Sequence, residues 1–228
     1  MGRVIGPDIV TDNLVLYLDA GNSRSYNGSG TTWYDLSKKL GDATIYGSMA
    51  FDGSSFITSS TGTYAQLNYS SSIADFSLAQ TICMWIKPAT GVAAVRRNPY
   101  NQAYGGPGTI THEISYAFTY YYGTNGYNGT PYQGKSSTFT VVPGELAFIC
   151  VNRDQTANKT KWYKNGIQTN ESDAGGYPAT ANGANPIIIG RGYTTNFAGN
   201  IYNCMVYNRA LTASEILKNY NATKGRYD

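Results

Sequence analysis

Residues 145–168 read ELAFICVNRDQTANKTKWYKNGIQ. Two runs rich in aromatic and β-branched residues, ELAFICVNR and KTKWYKNGIQ, flank a polar turn, and each has the length of one strand. In the second run Asn165-Gly166 stands where a two-residue hairpin needs residues that tolerate positive φ. This stretch therefore predicts antiparallel strands joined by tight turns.

The same grammar extends in both directions. Upstream, SSTFTVV (136–142) is a further strand, and SLAQTICMWIKP (77–88) is a longer one closed by Pro88. Leu78, Ile82, Met84 and Ile86 share one face of that run, with Cys83 and Trp85 on the other, so both faces are expected to be covered. MAFDGSSFITS (49–59) predicts two short strands about Asp52-Gly53, and in NLVLYLDA (13–20) Leu14, Leu16 and Leu18 alternate with Val15, Tyr17 and Asp19. THEISYAFTYYY (111–122) alternates as a strand between Gly- and Pro-rich flanks. Downstream, PIIIGRG (186–192) and GNIYNCMVYNR (199–209) complete a set of about ten strands with turn signals between them. One helix is predicted, over Ala213 to Tyr220. Thr212 and Glu215 form a capping box there, and Ile216, Leu217 and Tyr220 give it an apolar stripe. The fold class that follows is all-β, a single antiparallel sandwich with a short C-terminal helix. The domain spans residues 13–228 behind an N-terminal extension of residues 1–12.

Composition narrows the function. Only 14% of the 228 residues are charged, against roughly a quarter in ordinary soluble domains, while Gly (26) and Tyr (21) are abundant. The net charge of +3 comes from scattered residues, with no run longer than Lys38-Lys39 or Arg96-Arg97, so no nucleic-acid partner is expected. No apolar window reaches a membrane span, and the opening MGRVIGPDIVTDN carries no signal-peptide core. The three cysteines, Cys83, Cys150 and Cys204, are far apart in sequence and lie in apolar runs. An odd count without C-x-x-C spacing predicts core thiols, not a disulfide framework or structural zinc. His112 is the only histidine, and neither a G-x-S-x-G elbow nor a phosphate-binding glycine loop is present.

Several segments in order carry a family resemblance. NLVLYLDAGNSRSY (13–26), WYDLS (33–37), FDGSSFIT (51–58), TICMWIKP (81–88), KWYKNGIQ (161–168), IIIGRG (187–192) and FAGNIYNCMVYNRALTASEILKNYNATKGRY (197–227) together resemble the LamG-like, concanavalin A-like lectin/glucanase jelly rolls. The single-module form that opens V-L-Y-L-D-A-G-N looks like proteins encoded by tailed bacteriophages. The resemblance implies two curved antiparallel sheets in a jelly roll, whose faces and rim loops bind glycans or proteins in some members. It also implies a place on a virion, as capsid decoration or a tail-associated module made in the host cytoplasm, with virion proteins or host-surface glycans as partners. Self-association through exposed sheet edges is a further expectation.

Glycanases of this fold set carboxylates on one strand as E-x-D-x-x-E. Glu171-Ser172-Asp173 is the nearest match here, and it lacks the third carboxylate. The expectation is therefore a non-enzyme with no cofactor. Calcium is the one ion that related modules hold at a sheet rim. Its oxygen donors here would be Asp19, Asn22, Asp52 and Asp154, whose spacing matches no calcium loop. The surplus tyrosines mark the expected contact surface, because a phenol ring offers both an apolar face and a hydrogen-bonding tip. The candidates are Trp33, Tyr34, Tyr100, Tyr104, Tyr120, Tyr121, Tyr122, Tyr127 and Tyr132. The competing reading packs many of these against the sheets.

Overall fold

A computed structural model describes residues 8–59, 62–68, 72–102, 108–123, 132–175 and 185–227. The strands are β1 (Leu14–Asp19), β2 (Thr32–Trp33), β3 (Ala43–Tyr46), β4 (Ala50–Phe51), β5 (Phe56–Thr58), β6 (Tyr64–Leu67), β7 (Ala79–Pro88), β8 (Arg97–Asn101), β9 (Thr109–His112), β10 (Ala117–Gly123), β11 (Tyr132–Thr140), β12 (Ala147–Asp154), β13 (Lys159–Lys164), β14 (Ile167–Asp173), β15 (Ile187–Ile189), β16 (Thr195–Asn196) and β17 (Gly199–Tyr207). One helix, α1 (Ala213–Thr223), and a 3-10 turn (Lys224–Arg226) follow.

These strands form two sheets. The eight-stranded sheet runs β14-β13-β12-β7-β17-β5-β4, with β1 also on β17; the nine-stranded sheet runs β11-β10-β9-β8-β15-β6-β3-β2, with β16 on β8. Every pairing is antiparallel except β16 with β8. Between the sheets lies a core that includes Leu16, Leu18, Phe56, Ile82, Met84, Ile86, Ile110, Phe118, Ile149 and Trp162.

A second apolar layer covers the back of the eight-stranded sheet. There Trp85, Phe148, Tyr163 and Met205 pack with Ile216 of α1. Both faces of β7 are thus buried, as its continuous apolar run requires; Leu78, however, precedes the strand and is exposed. Trp85 stacks on Tyr220 with centroids 5.6 Å apart, and its indole N–H donates to Thr223 Oγ1 at 2.8 Å. The Asn165-Gly166 hairpin adopts φ of 51° and 80° and presses its tip on this helix. A Cβ at Gly166 would lie 2.9 Å from Leu217, so the glycine serves both the turn and the close approach.

The first strand and the last described turn meet through one buried carboxylate. Asp19 has no solvent exposure, and its carboxylate accepts from Tyr17 Oη at 2.7 Å, Tyr227 Oη at 2.7 Å and the Arg226 guanidinium. Burial, then the Asp19 charge, pushes both phenols far above their ordinary range. Of the N-terminal extension, Val10 is pinned by Asn219 Oδ1, which accepts its N–H at 2.8 Å, and by Tyr207 Oη, which donates to its carbonyl at 2.8 Å.

Two local expectations need correction. THEISYAFTYYY is not one strand: β9 ends at His112 and β10 begins at Ala117, with a turn at Glu113–Tyr116 closed by Tyr116 N–H to Glu113 O at 2.9 Å. The helix runs three residues past Tyr220 because Asn219 and Thr223 turn inward and are buried against the sheet. The three cysteines are free and buried, as core thiols should be, and β7 and β12 set Cys83 opposite Cys150 with sulfurs 2.7 Å apart.

The capping box forms as read. Glu215 N–H donates to Thr212 Oγ1 at 3.3 Å, and Thr212 N–H donates to Glu215 Oε2 at 2.9 Å. Thr212→Ala is expected to cost about 1 kcal/mol, read as a lower denaturant midpoint. Glu215 is also gripped by both terminal guanidinium nitrogens of Arg209, Nη1 at 2.9 Å and Nη2 at 2.6 Å. That bond and the Thr212 contacts, outweighing desolvation, lower its pKa to about 2. A carboxylate depressed in the folded state stabilises it above the unfolded pKa and loses that contribution as pH falls through the folded value. Stability should therefore drop between about pH 5 and pH 2, by on the order of 1–2 kcal/mol after allowance for solvent screening. In Glu215→Gln that part of the acid dependence should vanish from pH-resolved melts.

Candidate binding site

Period-two alternation in the nine-stranded sheet decides which side chains reach solvent. Ile45, Ala65, Leu67, Tyr100, Ile110, Phe118, Tyr120, Tyr122, Ile187 and Ile189 all belong to the inner core. Their alternates form a row across seven strands on the opposite side of the sheet, Thr44 opposite Gln66, then Ile188, Asn101, Thr109, Tyr121 and Gly134; of these Thr44, Gln66, Tyr121 and Gly134 are exposed or half-buried, while Ile188, Asn101 and Thr109 are buried. Beside this row Tyr46 faces Tyr64 across β3 and β6.

The aromatic pair is ordered. Tyr46 and Tyr64 stack with centroids 4.8 Å apart and planes 12° from parallel. The Arg191 guanidinium lies 3.6 Å over the centre of the Tyr64 ring, a cation–π contact worth about 0.5–1 kcal/mol at an exposed site. Arg191 also borders a cavity of about 270 Å³ whose other walls are Asn101, Asn185, Pro186, Ile188, Gly192 and Tyr193. Tyr193 stands at its rim, 64% exposed. The floor is fixed, since Thr109 Oγ1 donates to Asn101 Oδ1 at 2.7 Å. The result is an apolar and aromatic wall beside side-chain amides and one cation.

Loop 190–194 is held by Asn98, a buried residue of β8. Its Oδ1 accepts from Thr194 N–H at 2.8 Å and Thr194 Oγ1 at 2.7 Å, while its Nδ2 donates to Thr111 Oγ1 at 2.9 Å. Gly192 passes directly over this side chain.

The expected contact residues divide. Trp33, Tyr100, Tyr120 and Tyr122 are buried and offer no ring face to a ligand, which corrects the reading of them as surface contacts. Their polar tips are largely met inside: Tyr120 Oη donates to Gln80 Oε1 at 2.7 Å, Tyr100 Oη to Gln102 Oε1 at 2.9 Å, and Tyr122 Oη to the Ala174 carbonyl. Trp33 packs edge-on against Phe56. Tyr121 faces outward, but its Oη donates to Glu113 at 3.2 Å and Arg96 lies 5.2 Å from its ring centre. Burial and the Glu113 charge raise its pKa. Tyr34 (41% exposed) follows β2 and Tyr132 (46%) begins β11, the two opposite margins of the sheet, so they form no joint surface. Tyr104 and Tyr127 lie outside the described residues.

The carboxylates are occupied elsewhere. Each of the four glutamates is in an ion pair: Glu113 with Arg96, Glu145 with Lys164, Glu171 with Lys159 and Lys161, and Glu215 with Arg209. Glu171 and Asp173 sit on the margin strand β14 and share Lys159, away from the cavity. Asp52 accepts from Ser54 and Ser55 of its own turn and from Asn200, and Asp154 accepts from Ala157 N–H. Asn22 Oδ1 accepts from Arg24 N–H. Among the described residues no three His, Cys, Asp or Glu side chains converge to hold a metal. His112 is buried, stacks on Phe118 and bonds Val141 O at 3.0 Å; burial lowers its pKa.

A family model described as Laminin_G_3, concanavalin A-like lectin/glucanases superfamily, matches residues 59–217. The chain belongs to this superfamily. No curated protein matches the sequence significantly. Among solved structures, this superfamily member is similar to the receptor-binding domain of botulinum neurotoxin C/D mosaic serotype, with TM-score 0.73, 13% identity, and coverage of 94% of this chain and 52% of that one. The binding domain of botulinum neurotoxin DC, solved in complex with rat synaptotagmin II, gives 0.69, 14%, 93% and 52%. That of Paraclostridial Mosquitocidal Protein 1 gives 0.65, 16%, 93% and 52%. The chain thus spans about half the length of these structures, and at such identities the likeness is one of fold.

The site depends on Gly192. A Cβ there would lie 2.6 Å from Asn98, which its own bonds prevent from yielding. Gly192→Ala is expected to cost about 1–3 kcal/mol through overpacking, visible as a lower urea midpoint.

Proposed function

We propose that this chain is a non-catalytic binding module that holds a polysaccharide against the outer face of its nine-stranded sheet. The observation that carries this reading is the cavity walled by Tyr193, Ile188, Asn101, Asn185 and Arg191 beside the Tyr46–Tyr64 stack. A sugar ring presents an apolar C–H face and a rim of hydroxyls, and this wall offers a ring for the first and amides for the second. The cavity is near the small end of the roughly 300–1,000 Å³ of ligand pockets, which suits one unit of a longer polymer.

The ion-paired glutamates support a module without chemistry. Retention of configuration needs two carboxyls about 5 Å apart in a cleft, one of them held protonated. Glu171 and Asp173 instead sit on the margin strand β14, each ion-paired with Lys159. The setting we propose is the surface of a bacteriophage particle, as capsid decoration or a tail-associated module. That setting rests on the sequence resemblance.

On a glycan array the protein is expected to retain a defined polysaccharide class. Arg191→Ala and Tyr193→Ala should each weaken that binding at least tenfold, with the melting curve unmoved in Tyr193→Ala and lowered by only a few degrees in Arg191→Ala. Saturable binding to particles with no glycan retained would transfer the contact to protein. Reducing-sugar release that disappears in Glu171→Gln would overturn the non-catalytic reading.

A further inference from the structure

The strongest unassigned chemistry lies in the eight-stranded sheet. Cys83 of β7 and Cys150 of β12 are partners in antiparallel register, and their sulfurs approach to 2.7 Å. Residues directly opposed in such a ladder have Cα atoms roughly 4.5–5.5 Å apart, inside the 4.4–6.8 Å window that a disulfide spans. The two side chains project to the same face, into the apolar layer with Tyr163, Tyr207 and Ile216. Cys204 belongs to the other layer, between the sheets, so the third thiol is separated from the pair by the sheet itself.

We propose that Cys83 and Cys150 are a modification site, a cross-strand disulfide made by a low-molecular-weight or protein disulfide acting as oxidant. One cysteine sulfur attacks a sulfur of the oxidant, whose S–S bond breaks and whose other half leaves as a thiol. The second cysteine sulfur then displaces the remaining half from the mixed disulfide, forming the Cys83–Cys150 bond. The two thiol protons end on the two released thiols; the cysteine pair is oxidised by two electrons and the oxidant reduced by two.

Access sets when this happens. Both cysteines are fully buried, and burial pushes the Cys83 thiol up, away from the reactive thiolate. Exchange therefore belongs to the period before α1 docks over β7 and β12, or to rare openings of that layer. Once made, the same cover shields the bond from reductants. The closed loop holds the whole of β8, β9, β10 and β11, and loops of that length give the larger disulfide contributions.

The test is refolding of reduced, denatured protein in a glutathione redox buffer, with a parallel incubation of native protein for days in the same buffer. Expected are one titratable thiol per denatured chain instead of three, a mass lower by two hydrogens, and a cross-linked peptide joining Cys83 to Cys150. The melting temperature should rise by about 5–10 °C over the reduced form. Cys204→Ala should form the same cross-link and leave no thiol, whereas Cys83→Ser and Cys150→Ser should each leave two. Three thiols in refolded and in incubated protein would overturn the proposal, as would a cross-link that includes Cys204. Glycan binding is read separately, because the pair and the cavity lie on different sheets.

Discussion

A carboxylate with no access to water joins the beginning of this domain to its end. Asp19 closes β1, and the groups that compensate its charge arrive more than two hundred residues later, as Arg226 and the Tyr227 phenol, with Tyr17 supplying a third donor. A buried carboxylate left unpartnered would cost several kcal/mol, so the last turn is obliged to dock once β1 has paired with β17. That docking carries α1 across the back of the eight-stranded sheet, where Trp85 and Tyr163 are covered. It also explains why this sheet can be apolar on both faces.

Much of this was legible from local pattern. Asn165-Gly166 announces its hairpin because the turn type demands residues that accept positive φ, and Thr212 with Glu215 announces the helix start because two orphan amides need acceptors there. The apolar run over Ile82 to Ile86 announces a strand covered on both sides. What was not legible depends on register between strands far apart in sequence. Tyr120, Tyr121 and Tyr122 look alike in the chain; only the position of β10 between β9 and β11 decides that the middle ring faces out and its neighbours face in. Cys83 and Cys150 became neighbours through the pairing of β7 with β12, for which sequence spacing carries no signal.

The site was missed for the same reason. Tyr46, Tyr64, Arg191, Tyr193 and Asn101 come from four segments, and none is unusual where it stands. Their convergence follows from β15 lying between β6 and β8, a placement that brings the 190–194 loop over Asn98. The buried tyrosines show how an aromatic surplus can mislead: a phenol suits an interior whenever an acceptor is waiting, and Gln80, Gln102 and the Ala174 carbonyl supply acceptors here. Family membership and the likeness to toxin binding domains agree with the architecture, while the case for a contact surface comes from the cavity itself.

The sandwich is also fastened along one flank. Asn170 of β14 reaches the last strand of the opposite sheet, where its Nδ2 donates to Ser136 O at 3.0 Å and its Oδ1 accepts from Thr138 N–H at 3.0 Å. A carboxamide bonding in this two-point way copies the peptide group that an incoming chain would present. The lateral rim of β11 is thus filled at its centre from within the molecule, which blocks strand-by-strand accretion into fibrils there.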